Sequence, residues 1–498
     1  MRLIRTQPSQ AKQLDRLTFE TASADRPAPH YFGFKDHRAL DAATALPKDT
    51  DRDITMRRMT IVVIAAMLAS APAVAQGAGP SASPAPAKSA TAAAAAPAAH
   101  PSTPKPAAAS TPESRSAAAL ALSHEPTFDE GTARRIKEAA LSYSDIAVRG
   151  GWPAIPDDAK FALGVAGPND DLLRKRLIIT GDLAEDKTTG AFDETLAEAV
   201  KRFQVRHGLA PTGGVSPRTI AALNVPVQKR IRQLEASLER LENMNFSFGE
   251  RYVIVNIPAA FAEAVEDDKA VRRYRVIVGK TEKPSPTLTA EITSVNLNPT
   301  WTVPSSIAKT EISAHMRKDP GYLARMHMEV LDAHDNPIDP HSVDWSGTHT
   351  PNFTVRQQNG TWNALGAVKI DMPNAYSVYM HDTNQHSLFS DDYRFDSHGC
   401  SRVDNVRDLA AWLLKDQPQW SRAAIDAAIA TGQREDIRLT RKVPVAWVYL
   451  TAWMTKDQTI QFRNDIYDQD EQLLEATAEE AAFFNQAANH PLTAHLAQ

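Results

Sequence analysis

The 498-residue chain carries 55 Lys and Arg against 60 Asp and Glu, a formal net charge of −5. That balance excludes a broad electrostatic attraction to nucleic acid or anionic lipid, and no nucleic-acid partner is expected. The length predicts two or three folded units at roughly 150 residues each, and the single cysteine, Cys400, excludes an internal disulfide.

Residues 1–55 precede the stretch TMRRMTIVVIAAMLASAPAVAQ, in which Arg57 and Arg58 lead into an apolar run from Ile61 to Leu68 and Ala73-Val74-Ala75 stands before Gln76. This basic, apolar, small-x-small order is that of a secretory signal peptide over 56–75, with cleavage after Ala75. The protein is therefore expected to be exported, with membrane contact only through an uncleaved signal. The apolar run falls short of the roughly 20 residues a spanning helix needs. Because the signal starts at Met56, residues 1–55 read as an extension or a misassigned start. Residues 76–123 are Ala, Pro, Ser and Thr with few large apolar side chains, and read as a disordered tether.

Residues 124–168 form a helical scaffold segment, since TARRIKEAALSYSDIAVRGGW places apolar residues at helical spacing and Gly150-Gly151 ends the run. In 169–228, Leu196, Val200, Phe203 and Gln204 make one helical stripe that His207-Gly208 closes, and Ser216-Pro217 reads as an N-cap followed by proline at the first helical position. Residues 173–224, with LRKRL, AVKRFQVRHGL and GGVSPRTIAALN, resemble the peptidoglycan-binding domain of cell-wall enzymes. Thr212-Gly213-Gly214 replaces that family's usual Asp-Gly turn.

A connecting helix is predicted over 229–250. The period then falls from 3.6 to 2 in RYVIVNIP, YRVIVGK and EITSVNLNP, which are strand signals. A mainly β domain is expected over 251–440, with an inserted subdomain at about 305–360. A hairpin turning at Lys456-Asp457 and a helical tail are expected over 441–498. The fold class is multidomain α+β: a small helical module plus a mainly β domain with a lid-like insertion.

The lone thiol lies in DSHGCSRVDN. Gly399 permits a tight turn beside Cys400, and the main-chain N–H groups there can face an oxyanion. Arg402, two residues on, shares the Cys400 face of an extended segment and suits a substrate carboxylate. His381, at the end of VYMHD, is the candidate base for the thiol. Tyr379 shares its strand face and is a candidate substrate wall.

The segment HDTNQHSLFSDDYRFDSHGCSRV resembles the signature of L,D-transpeptidases, and NPTWTVPSSI, NALGAVKI and YLTAW fit the larger, periplasmic branch of that family. The resemblance spans roughly 128–470. It implies that Cys400 is the nucleophile and His381 the proton donor and acceptor. It further implies that Asp382 orients the imidazole, partly through its carbonyl, and that Ser397, His398 and Gly399 shape the site, with Arg402 and Ser397 among the substrate contacts. Ser401 and Ala367 depart from the family pattern. The implied reaction attacks the third-residue carbonyl of a tetrapeptide stem, releases D-Ala and builds 3-3 cross-links, with no cofactor and no metal. Peptidoglycan is the implied partner, carbapenems the implied inhibitors, and the periplasm at the cell wall the implied location. Two alternatives are a zinc peptidase using His381, Asp382, His386, Asp396 and His398, which lacks an HExxH helix, and a non-catalytic wall-binding scaffold.

Overall fold

The computed structural model describes residues 111–346 and 352–489. The proposed extension, signal peptide and most of the tether lie outside the described residues. The end of the tether is helical, contrary to the expectation of disorder up to Ser123. Helix α1 (Pro112–Ala121) starts on Thr111, whose hydroxyl accepts the Ser114 N–H, with proline at the first helical position. It is anchored by Arg115, whose Nε and Nη2 donate to the two carboxylate oxygens of Asp404 at 2.7 and 2.8 Å. Composition alone hides this anchor, because the partner lies 289 residues away.

Helix α2 (Thr132–Val148) buries Ile136, Ala139, Tyr143 and Ile146, and Gly150 and Gly151 follow with positive φ. Helices α3 (Asp170–Ile179), α4 (Glu194–Arg206) and α5 (Pro217–Leu223) form the small module, whose core takes Leu173, Leu177, Leu196, Val200, Phe203 and Leu223. Gln204 lies on the same stripe and pins the departing turn, accepting the Gly213 N–H and donating to the Gly214 carbonyl. Helix α6 (Val227–Glu242) then packs along α2.

The mainly β domain is one nine-stranded sheet. Its strands are β1 (Arg251–Asn256), β2 (Phe261–Glu266), β3 (Lys269–Gly279), β4 (Leu288–Leu297), β9 (Val368–Asp371), β10 (Met380–His381), β11 (Phe395–Ser397), β12 (Ser401–Val403) and β13 (Glu435–Val448), and β5–β8 belong to the insertion. The order β11-β3-β12-β10-β9-β4-β13-β1-β2 closes on itself because β3 also pairs with β2. Alternation in β1 divides two cores: Val253 and Val255 face the sheet interior, whereas Tyr252 and Ile254 face the layer of α2 and α6. The helix Val406–Leu413 plugs the interior with Leu409, Ala410 and Leu413.

Two expected limits shift. Strand β13 runs through the boundary at 440, pairing antiparallel with β4 and parallel with β1, so PVAWV belongs to the main sheet. The terminal hairpin is shorter, β14 (Ala452–Met454) against β15 (Ile460–Phe462). The insertion has its own four-stranded sheet of β5 (Trp301–Thr302), β8 (Thr354–Gln357), β6 (Met328–Leu331) and β7 (Pro337–Ile338). Its separate core includes Val303, Ile312, Leu323, Val330 and Val355. Among the described residues no helix is long and apolar enough to cross a membrane.

Candidate active site

Strands β10 and β12 pair in parallel, with Met380 opposite Ser401 and His381 opposite Arg402. Met380 and Val403 enter the core, so alternation turns Tyr379, His381 and Arg402 to the other face. On the far side of β10, Lys369 of β9 stands opposite His381, with its ammonium 4.6 Å over the Tyr379 ring and 2.6 Å from Asp371. Cys400 immediately precedes β12, level with Tyr379, whose carbonyl accepts the Ser401 N–H at 3.2 Å. The register thus gathers Tyr379, His381, Cys400 and Arg402 on one patch.

His381 is 6% exposed, and its Nδ1 lies 2.5 Å from the Asp382 carbonyl oxygen. A carbonyl only accepts, so Nδ1 carries the hydrogen and Nε2 keeps a lone pair. Burial, with the charges of Arg402 and Lys369 adding to it, lowers the imidazole to about 3 against the opposing carbonyl bond. Burial pushes the Cys400 thiol up to about 11, opposed by a Tyr379 main-chain hydrogen bond and the charges of Lys369 and Arg402. Burial thus favours the neutral thiol and the neutral imidazole over their charged forms at neutral pH.

Asp382 reaches the imidazole through its carbonyl alone. Its carboxylate turns away, accepting the Ala367 N–H at 2.9 Å and lying 3.6 Å from His386 Nε2. Burial raises that carboxyl against the Ala367 bond. Ser397 differs from the expected substrate contact. It is 2% exposed and braces the loop from below, donating from Oγ to the Cys400 carbonyl at 2.5 Å and accepting the Gly399 N–H at 3.2 Å. Gly399 sits at φ +107, a conformation side chains rarely adopt. His398 points to the insertion, with Nε2 2.6 Å from Glu311 on the π-helical turn Ala308–Ile312. No carboxylate among the described residues lies within ion-pair distance of Arg402, whose guanidinium burial lowers. The candidate zinc ligands diverge along these separate bonds, and no group of three metal-ligating side chains forms among the described residues.

Residues 250–432 match the model of the "L,D-transpeptidase catalytic domain", and residues 166–223 match that of the "Putative peptidoglycan binding domain". The chain carries an L,D-transpeptidase catalytic domain. A "Putative L,D-transpeptidase" of Haemophilus influenzae is 31% identical over 222 residues, which cover 44% of this chain and 45% of that protein. The match thus spans less than half the length of that curated relative. The chain is also similar to solved structures, among them an L,D-transpeptidase from Mycobacterium smegmatis, 16% identical over 40% of this chain and 58% of that one, with a TM-score of 0.21. Another, from Stackebrandtia nassauensis, is 12% identical over 58% of this chain and 94% of that one, at 0.23. A third is the transpeptidase LdtMt1 in complex with imipenem, 14% identical over 40% of this chain and 59% of that one, at 0.21.

Sequence reasoning missed the scaffold beneath the transpeptidase loop. Ser285 donates from Oγ to the Gly399 carbonyl at 2.8 Å and accepts the Gly279 N–H at 2.9 Å. Tyr467 donates to the Gly279 carbonyl at 2.5 Å, and its own N–H donates to the Tyr449 hydroxyl. A Cβ on Gly279 would lie 2.3 Å from the Lys283 carbonyl oxygen, so only glycine admits this crossing. The available signal was Gly279, next to last in VIVGK, ahead of KPSP.

Proposed function

We propose that the protein is a peptidoglycan L,D-transpeptidase of the exported cell-wall compartment, with Cys400 as nucleophile and His381 as its proton shuttle. The observation that carries this reading is the His381 tautomer: with Nδ1 held by the Asp382 carbonyl, Nε2 is the basic atom on the face shared with Cys400. Because burial favours the neutral thiol and the neutral imidazole, proton transfer accompanies attack. Cys400 Sγ bonds to the third-residue carbonyl carbon of a tetrapeptide stem while its proton passes to Nε2. The resulting oxyanion meets the main-chain N–H groups at the Gly399-Cys400 turn.

Collapse breaks the C–N bond, His381 returns the proton to the departing D-Ala amine, and a thioester remains. The side-chain amine of a second stem then attacks, gives a proton to His381, and forms the 3-3 amide as the thiol is restored. Arg402, a cation without a carboxylate partner among the described residues, suits a free carboxylate of the stem. Tyr379 forms the neighbouring wall and Lys369 adds positive potential. The helical module holds the enzyme on its polymer. A carbapenem is expected to acylate Cys400.

The test is intact-mass spectrometry with imipenem, together with product analysis on disaccharide-tetrapeptide. Wild type should gain one adduct and make cross-linked dimer, and Cys400→Ala should do neither. A dimer made by the Cys400→Ala variant would refute the assignment.

A further inference from the structure

An open cleft lies where three parts of the chain meet, and none of its lining residues belongs to β10, β12 or the Cys400 loop. Its wall takes Leu122 and Glu125 from the segment after α1, Val205 from α4 of the wall-binding module, Arg273 from β3, and Trp453 and Arg463 from the terminal hairpin region.

The two arginines differ in their state. Arg273 is fully engaged, with Glu263 and with the carbonyls of Ala119, Ser123 and Glu125. Arg463 is not. Its Nη1 donates to the carbonyls of Arg206 and Phe462 at 3.1 and 2.6 Å, and its guanidinium carbon lies 4.9 Å from the Trp453 ring centroid. Neither Nε nor Nη2 bonds to any described residue, and no described carboxylate lies within ion-pair distance. Nε and Nη2 form the edge of a guanidinium that takes a carboxylate in two parallel hydrogen bonds. Burial and the nearby Arg273 lower this guanidinium to about 10, as expected for a cation short of counter-charge.

Two further features point to a built site. Gly208, which closes α4, leaves the space Arg463 occupies: a Cβ there would lie 2.8 Å from its Cδ and Nε. The wall-binding module therefore seats an arginine supplied by the hairpin. Glu125 lines the same wall, and its carboxylate makes no hydrogen bond or ion pair with any described residue.

Resting on the transpeptidase reading, we propose that this cleft binds the amino-acid end of a peptidoglycan stem peptide. The Arg463 fork takes its free carboxylate, and Glu125 accepts from its N–H or ammonium group. The Trp453 ring provides the apolar floor, and the module's wall contact is thereby made partly by residues outside the module. Stem peptides carry both groups, whereas a bare glycan strand carries neither in this arrangement.

The experiment measures binding of disaccharide-tetrapeptide to the full chain in a Cys400→Ala background, by calorimetry and tryptophan fluorescence. Arg463→Gln is expected to weaken one binding step tenfold or more, with Arg463→Lys recovering part of the loss. Because Arg463 also holds two carbonyls, Leu122→Glu provides a second variant. Leu122 is 50% exposed at the cleft, so a carboxylate there repels the ligand without disturbing packing. It should weaken the same step with an unchanged melting temperature. Glycan strands stripped of stem peptides should not compete. Binding indifferent to both variants, or equal competition by stripped glycan, overturns the proposal. Imipenem adduct formation on Cys400 in the wild-type chain is scored alongside, so failure of the transpeptidase reading shows as a missing adduct instead.

Discussion

His381 and Asp382 are joined through the main chain: the imidazole Nδ1 meets the Asp382 carbonyl at 2.5 Å while the Asp382 carboxylate points to the Ala367 N–H. The orienting acceptor is thus independent of the side chain at 382. In triads whose orienter is a carboxylate, Asp→Asn costs about 10⁴-fold in turnover. Here Asp382→Asn keeps an oxygen for Ala367 and is expected to hold turnover within about tenfold, whereas His381→Gln removes the base and should cost at least about 10²-fold. Steady-state rates on disaccharide-tetrapeptide decide this, and a 10⁴-fold loss in Asp382→Asn would mean that the carboxylate itself orients the ring.

The state of the thiol gives the second expectation. With Cys400 raised to about 11 by burial, only about one molecule in ten thousand carries a thiolate at pH 7. Since the thiolate is the reacting form, the rate of iodoacetamide alkylation should climb about tenfold per pH unit between pH 7 and 9. A thiolate–imidazolium pair would instead give a plateau across that range.

The buried pair Arg115–Asp404 ties the end of the tether to the residue just after β12. The side chains are 6% and 0% exposed. Removing one partner strands the other charge, at a cost of about 3–5 kcal/mol. Arg115→Ala should therefore lower the denaturation midpoint strongly, and so should truncation to residue 123. Chemical denaturation of the three proteins is the measurement, and an unchanged midpoint in Arg115→Ala would remove α1 from the folded domain.

What the sequence made legible was whatever repeats locally or rests on a short motif. The Leu196, Val200, Phe203 stripe is a local period, and the turn around Gly399 follows from one residue's conformational freedom. Ser216 capping α5 is a contact three residues long. What was hidden depends on contacts across the chain. Arg115 finds Asp404 289 residues on, and Tyr467 reaches Gly279 across 188. No period marks either one. The direction of the Asp382 carboxylate was hidden for a different reason, because side chain and carbonyl of one residue are indistinguishable as orienters until the rotamer is known. Strand β13 hid its continuity behind Pro444, which stands opposite Glu291 of β4 just before the pairing with β1 begins at Val445.

Gly366 supplies the last expectation, because it makes room for the residue that orients the base. It lies at φ +60, and a Cβ there would stand 2.6 Å from the Asp382 Cβ. Gly366→Ala combines backbone strain of about 1–3 kcal/mol with a displacement of Asp382, whose carbonyl holds His381. A misplacement of about 1 Å can cost about 10²-fold in rate. Turnover should therefore fall about 100-fold in Gly366→Ala while the fold is retained by circular dichroism, a larger loss than in Asp382→Asn, where the carbonyl stays in place. Equal rates in the two variants would show that the position of that carbonyl does not govern the histidine.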